Sequence, residues 1–293
     1  MSLKHKIFLG LIGILILGNF LAWKEVFALA GPRYLKVVAF DVGQGDSIFI
    51  ETPGMHQVLV DGGPGSAVLS RLPKYLPLWD RSLDMIVLTH PDADHLDGLL
   101  SVLQKYKVDY ILWTGIARNG ASYQKWVELL GFAQKRGSKI VIAQKGQKII
   151  FQNITADVLN PQENLEGRDF KSAGNDTSVV LRLAFGQKYF LLTGDISGKA
   201  ENKLIESQAD LKADVLKIAH HGSKYSTTEE FLQNVSPEVA IISSGQDNKY
   251  GHPTPEVLQR LEKFGIKVLR TDQMGDVQII SDGNNLAISK IKN

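Results

Sequence analysis

The sequence predicts an α/β (α+β) fold in which sheets are enclosed by helices, preceded by an N-terminal hydrophobic segment. Three observations carry that expectation. From Tyr34 onward, short apolar or β-branched runs stopped by Gly, Pro or Asp alternate with runs of helical spacing. Hydrophobic residues at 44% and charged residues at 22% match chains that bury a sizeable core. The first thirty residues stand apart, with an uncharged apolar stretch at 7–23 behind Lys4 and Lys6.

That stretch lies at the border between a signal-peptide core of about 7–15 residues and a membrane span of roughly 17–25. Ala28, Leu29 and Ala30 form an A-x-A cleavage pattern just before Gly31 and Pro32, which favours removal; retention would anchor the chain through residues 7–23. In both cases the positive flank exports the remainder, so the expected location is extracytoplasmic, secreted or anchored. A buried N-terminal helix is the weaker alternative, because the stretch is apolar on every face. The expected organisation is residues 1–30 as signal peptide or anchor and 31–293 as one folded domain.

Within that domain, 35–40, 47–52 and 57–60 read as short strands. Residues 84–88 form another, running directly into Thr89 and His90, and 96–106 has the spacing of a helix. A strand at 108–113, an amphipathic helix at 121–135 and a strand at 139–143 continue the alternation, followed by strands within 149–159. The polar, Gly-containing run 161–174 reads as a surface loop. Residues 179–185 and 188–192 form a hairpin about Gly186 and Gln187, with a helix at 198–207. Strands at 215–219, 239–243, 268–271 and 277–280 complete the set, with a helix at 255–264 whose Pro opens its first turn.

The chain has no Cys, which removes disulfide partners and thiolate metal sites and leaves His and carboxylates as the strong metal ligands. Setting aside Lys4, Lys6, Lys24 and Glu25 leaves equal numbers of acidic and basic residues. A protein that tracks long nucleic acid usually shows a basic excess, so any such contact here is expected to be local.

Between the strand at 84–88 and the following helix, the chain places His90, Asp92, Asp94 and His95. In a tight loop, alternate side chains can converge on one ion while an adjacent Asp and His reach a second, the arrangement of a dinuclear hydrolytic site. A single Asp there is often only a helix cap, and a His–Asp pair only a surface pair. The group is read as functional because other strand ends supply Asp61, Asp195, His220, His221 and His252, so that five of the seven His residues lie in these loops.

The run Thr-His-Pro-Asp-Ala-Asp-His at 89–95 resembles the metal loop of the metallo-β-lactamase superfamily, H-x-H-x-D-H, with Asp92 in place of the middle His. Asp41-Val-Gly-Gln-Gly-Asp-Ser47, Asn175-Asp-Thr-Ser178, Leu191-Leu-Thr-Gly-Asp195, Ala219-His-His-Gly-Ser223 and Tyr250-Gly-His-Pro253 resemble the soluble hydrolase domain of the ComEC family of DNA-internalisation competence proteins. The resemblance covers roughly residues 35–281 and implies a four-layer αββα sandwich with its site on one rim. It implies that His90 and Asp92 hold one divalent ion, that Asp94, His95 and His221 hold another, and that Asp195 bridges the two. Asp61 would brace the metal loop by hydrogen bonds.

No His occurs between 95 and 195 to match the superfamily's third ligand at the first site, and Asn175 stands nearest. The first site is therefore oxygen-rich, which makes Mn²⁺ or Mg²⁺ plausible beside Zn²⁺. Backbone amides near Gly222, with the side chains of His220, Ser223, Lys224, Asn248, Tyr250 and His252, would suit a phosphate. Asp94 or Asp195 would take a proton, while His252 or Lys224 would contact the phosphate or aid the leaving oxygen. Asp41, Gln44 and Asp46 lie around a Gly-rich turn and are expected to support the site from a neighbouring strand.

The leading expectation is an exported metal-dependent phosphodiesterase or nuclease acting on DNA. One hydrophobic stretch does not make a channel, so such an enzyme would work alone or beside a separate membrane DNA channel. Two other readings stay open: a hydrolase of another small ester or phosphodiester, and a non-catalytic DNA-binding or assembly module with a degraded metal site.

Overall fold

In the computed structural model the described residues are 2–30, 34–77, 79–169 and 174–291. Helix α1 (Leu3–Ala30) contains an apolar span, Leu3–Trp23, long enough to cross a membrane, and none of that span is buried against the rest of the chain. The weaker alternative of a buried N-terminal helix is thereby corrected: its apolar span is exposed along its length. Gly31 and Pro32, which follow the A-x-A pattern, lie outside the described residues.

Strands β1 (Leu35–Ala39), β2 (Ile48–Glu51) and β3 (Gln57–Val60) form a meander. The short helix α2 (Val68–Arg71) then leads to β4 (Ser82–Leu88), α3 (Ala93–Lys105), β5 (Lys107–Trp113), α4 (Ala121–Lys135) and β6 (Lys139–Ile142). The second half runs β7 (Lys148–Phe151), β8 (Ile154–Asn160), β9 (Val180–Phe185), β10 (Lys188–Leu192), α5 (Gly198–Glu206) and β11 (Val215–Lys217). It continues through α6 (Glu229–Val235), β12 (Val239–Ile242), α7 (Pro255–Lys263), β13 (Lys267–Arg270) and α8 (Thr271–Met274). The chain then returns to the first sheet as β14 (Asp276–Ser281) and β15 (Leu286–Ile291).

The strands make two sheets, ordered β15-β14-β1-β2-β3-β4-β5-β6 and β13-β12-β11-β10-β9-β8-β7. Three separate cores show how they stack. Ile50, Val60, Val87, Phe190, Leu192 and Ile241, from both sheets, fill the space between them. Ile86, Leu99, Val102 and Trp126 join the first sheet to α3 and α4. Leu191, Leu204, Phe231, Ile242 and Leu261 join the second sheet to α5, α6 and α7. Helix, sheet, sheet, helix is the αββα order.

Each sheet is antiparallel on one side and parallel on the other: β3 through β6 run parallel in the first, β10 through β13 in the second. The carboxyl ends of β3 and β4 therefore face the same rim as those of β10, β11 and β12. Asp61, His90, Asp195 and His221 all follow those ends, where α/β folds hold loops rigidly on both sides.

The structure differs from the sequence expectation in a few boundaries. Helix α3 begins at Ala93, not at 96, so Asp94 and His95 lie in its first turn and the extended Asp92 precedes it as N-cap. Apolar periodicity starts only at Leu96, which hid a polar first turn. The segment read as a strand at 215–219 ends at Lys217 and passes into a 3₁₀ turn, Ala219–Gly222. Helix α6 and strand β15 were not anticipated: the first has seven residues and the second alternates weakly. The loop expected at 161–174 includes residues 170–173, outside the described set.

Candidate metal centre

Asp61 organises one side of the rim. It takes a positive φ of 59° straight after β3, and its carboxylate accepts hydrogen bonds from Thr89 N at 2.8 Å and Thr89 Oγ1 at 2.7 Å. Its Oδ2 also lies 2.7 Å from His95 Nδ1, which leaves His95 Nε2 facing the rim. Beside it, the Nδ1 of His90 is engaged by Thr89 Oγ1 at 3.1 Å and Ser178 Oγ at 3.3 Å. Ser178 Oγ also accepts from Asp195 N at 3.1 Å, coupling the His90 and Asp195 loops.

On the other side, His220 and His221 have φ of 50° and 55°, followed by Gly222 at 87°. Consecutive left-handed residues are costly for side-chain-bearing positions, about 1–2 kcal/mol each, and persist where the surroundings over-determine them. The turn aims His221 inward: its Nδ1 meets Ser243 O at 3.0 Å, and its Nε2 lies 3.2 Å from Asp195 Oδ2 and 3.4 Å from Asp94 Oδ2. Asp195 Oδ2 also lies 3.4 Å from His95 Nε2. His90, His95 and Asp195 form one group able to share an ion, and Asp94, His95 and His221 another.

The Nε2 atoms of His90, His95 and His221 and Oδ1 of Asp195 are buried with no hydrogen-bond partner. Orphaned polar atoms within these overlapping groups would be costly unless a further group satisfies them. All are lone-pair donors in the appropriate tautomer, so a divalent cation fits them. The electrostatics agree. Burial opposes charge on His95, but Asp195 and Asp61 outweigh it and hold its pKa well above the ordinary imidazole value. His221 is raised in the same way, by Asp195 and then by Asp46 and Asp94. His90 is lowered by burial and by the neighbouring His95. Asp195 stays ionised because His221 and His95 outweigh its burial.

The remaining expected residues take several positions. Asp92 Oδ2 lies 3.8 Å from His90 Nε2, while its Oδ1 holds Arg118 Nη2 at 2.8 Å. Asn175 Nδ2 lies 3.5 Å from His220 Nε2. The His220 and His252 rings stand 5.7 Å apart, and His252 has a pKa lowered by burial and by His220. Asn248 spends its amide inside its own loop, donating to the carbonyls of Gly245 and His252 and accepting from the amides of Tyr250 and His252. Gln44 Oε1 accepts from Gly245 N and so fixes the start of that loop. Tyr250 is exposed and stacks on His252.

Ser223 is buried, and its Oγ accepts from Tyr225 N at 3.4 Å. Lys224 is exposed, its ammonium 5.3 Å from the centre of the Tyr225 ring. Asp46 is buried behind His221, 3.5 Å from its Nδ1 and 2.8 Å from Lys217 Nζ. Asp41 turns away from the cluster, into a network with Arg71 and Asp276. Sequence reading missed Lys217 and Arg118. A lone Lys within the apolar strand β11 was the available signal for the first; nothing local distinguished the second.

The metallo-β-lactamase superfamily model matches residues 40–246, which include β3, β4, α3 and the loops carrying His90, Asp94, His95, Asp195 and His221. The chain belongs to the metallo-β-lactamase superfamily. Among curated relatives it is 35% identical over 262 residues to ComE operon protein 3 of Bacillus subtilis, covering 83% of this chain and 32% of that protein. It is 32% identical over 266 residues to competence protein ComA of Neisseria gonorrhoeae, covering 90% of this chain and 35% of that protein. The chain thus spans about a third of the length of these curated relatives. Among solved structures, the metallo-β-lactamase fold protein YhfI from Bacillus subtilis aligns with a TM-score of 0.52 at 16% identity, over 81% of this chain and 95% of that one. The hydrolase Tm1679 aligns with a TM-score of 0.52 at 15% identity, over 80% and 95%. At such identities these two speak for the fold alone. The superfamily is one of metal-dependent hydrolases, and the His/Asp cluster on this rim is the candidate place for a divalent metal.

Proposed function

We propose that this chain is an exported metal-dependent phosphodiesterase that acts on DNA, with residues 1–30 as signal peptide or membrane anchor and 31–293 as the hydrolase domain. The observation that carries the reading is the convergence of His90, His95 and His221 Nε2 on the Asp94 and Asp195 carboxylates. Similarity to competence proteins supports DNA as the substrate, and the exposed apolar helix α1 supports work at or beyond a membrane.

His90 and Asp92 would hold one Mn²⁺, Zn²⁺ or Mg²⁺ ion, and Asp94, His95 and His221, the last through Nε2, a second, with Asp195 within reach of both. When bound, such ions supply Lewis-acid stabilisation of charge and an activated water nucleophile. Asp94, the more exposed of the two carboxylates, or Asp195 would orient a water at the site and take up its proton. His252, whose Nδ1 is buried without a partner and whose pKa is depressed, stands neutral at pH 7 on the substrate side and contacts the phosphate or the leaving oxygen. Lys224 lies farther out and serves the approach of the anion. A membrane DNA channel is the partner that similarity to competence proteins supports.

The test is hydrolysis of single-stranded DNA, duplex DNA and a small phosphodiester by the full chain in mild detergent, with Mn²⁺, Mg²⁺ or Zn²⁺. Activity that disappears in Asp94→Ala while the fold and melting temperature persist is the expected result. Activity unaffected by Asp94→Ala, or none with any metal, would remove the proposal.

A further inference from the structure

A cleft of about 720 Å³ opens beside the metal centre, lined by Asp92, Asp94, Arg118, Asn119, Tyr123 and Tyr250. Arg118 is held in place by its 2.8 Å ion pair with Asp92, whose other oxygen faces His90. Tyr250 is 57% exposed, its ring backed by His252 at 5.9 Å between centroids and nearly parallel to it, with the Lys249 ammonium 5.3 Å from the ring centre. We propose that this cleft binds one unpaired nucleotide next to the scissile bond, with Tyr250 stacking on the base and Arg118 gripping the adjoining phosphate. The proposal rests on the phosphodiester reading above and names the form of its substrate, a single strand.

Three arguments carry it. The volume is that of a small-ligand site, within the usual range of about 300–1,000 Å³. A planar guanidinium matches phosphate oxygens in a fork, and its tie to Asp92 orients it beforehand, so little side-chain freedom is lost on binding. An exposed tyrosine can stack only on a base that is not already enclosed between neighbours in a duplex.

Charge points the same way. The body beyond the first thirty residues has as many acidic as basic residues and so no overall basic excess, and Asp169 also lines the cleft. Affinity must come from a few local contacts.

The experiment is fluorescence anisotropy of a short labelled single-stranded oligodeoxynucleotide, and of its duplex form, with the full chain across a range of salt, alongside cleavage of the same oligonucleotides. Tyr250→Ala is expected to weaken single-strand binding about tenfold, with Tyr250→Phe retaining it and the duplex little changed. Arg118→Gln is expected to weaken binding and to reduce the slope of log affinity against log salt by about 0.7, as loss of one phosphate contact requires. Variants that bind as the wild type does would overturn the subsite, as would equal losses for single strand and duplex in Tyr250→Ala, or no single-strand binding by the wild type. If the wild type binds with these dependences but cleaves nothing, the subsite stands and the hydrolase reading fails; if it cleaves and both variants bind and cleave normally, the reverse holds.

Discussion

Lys217 Nζ lies 2.8 Å from Asp46 Oδ2, and neither side chain is more than 2% exposed. The ammonium also donates to Ile218 O, and the carboxylate's other oxygen faces His221. Burial disfavours the charged Asp46, yet Lys217 and His221 outweigh it and keep its pKa well below the ordinary value. Removing one partner leaves an unpaired buried charge. Lys217→Met should therefore destabilise the protein by about 3–5 kcal/mol, and Lys217→Met with Asp46→Leu should cost less than the sum of the single changes. Denaturant unfolding of the three variants measures this, and strict additivity would show that the pair is not coupled.

Asp61 sets the tautomer of His95, so Asp61→Asn should weaken metal binding about 10–100-fold while leaving every proposed ligand present. Titration calorimetry with Mn²⁺ or Zn²⁺ provides the number. Wild-type affinity in this variant would mean that His95 needs no orientation from behind.

The raised pKa values of His95 and His221 make protons compete with the metal. Metal uptake should release protons, and apparent affinity should rise with pH until both imidazoles are neutral. The sign for stability follows. A folded pKa above the ordinary value of about 6.5 gives the metal-free protein a contribution that is complete below about pH 6.5 and is lost as pH rises through the folded values. A metal that occupies the site replaces that contribution. Melting temperatures of metal-free and metal-loaded protein should therefore diverge on the alkaline side, and a metal-free protein that gains stability from these groups there would contradict the assignment.

Helix α3 is seated by a glycine pair. Gly98 N donates to Gly63 O at 2.9 Å, and a Cβ at Gly98 would collide with the Gly62 carbonyl. Gly98→Ala should push back the helix that carries Asp94 and His95, costing about 1–3 kcal/mol of stability and weakening metal binding at the same time. Parallel melts and metal titrations test it; lost stability with unchanged metal affinity would mean that the helix tilts without moving its first turn.

Most of the layer pattern was legible in the chain. The strands ending before Asp61, His90 and Asp195 could be read because each is a short apolar run stopped by a polar residue or Gly, and α4 matched its expected bounds, 121–135, because its amphipathic spacing is long. Helix α6 was too short for periodicity to show, and the start of α3 was hidden by the very polar residues that form the site.

By itself, the sequence determined that any strong metal ligand is His nitrogen or carboxylate oxygen, with no thiolate, and the strand ends at which these residues gather. Those are local properties of residue type and hydrophobic period. Tertiary structure alone decided which atoms meet. Asp46 and Asp41, five positions apart on one turn, part company, one buried against Lys217 and His221, the other joined to Arg71 and Asp276. Arg118, from a connection with no motif, reaches Asp92. Such pairings depend on how two sheets stack and on which nitrogen of each imidazole is already engaged, and neither is encoded in the spacing of residues along the chain.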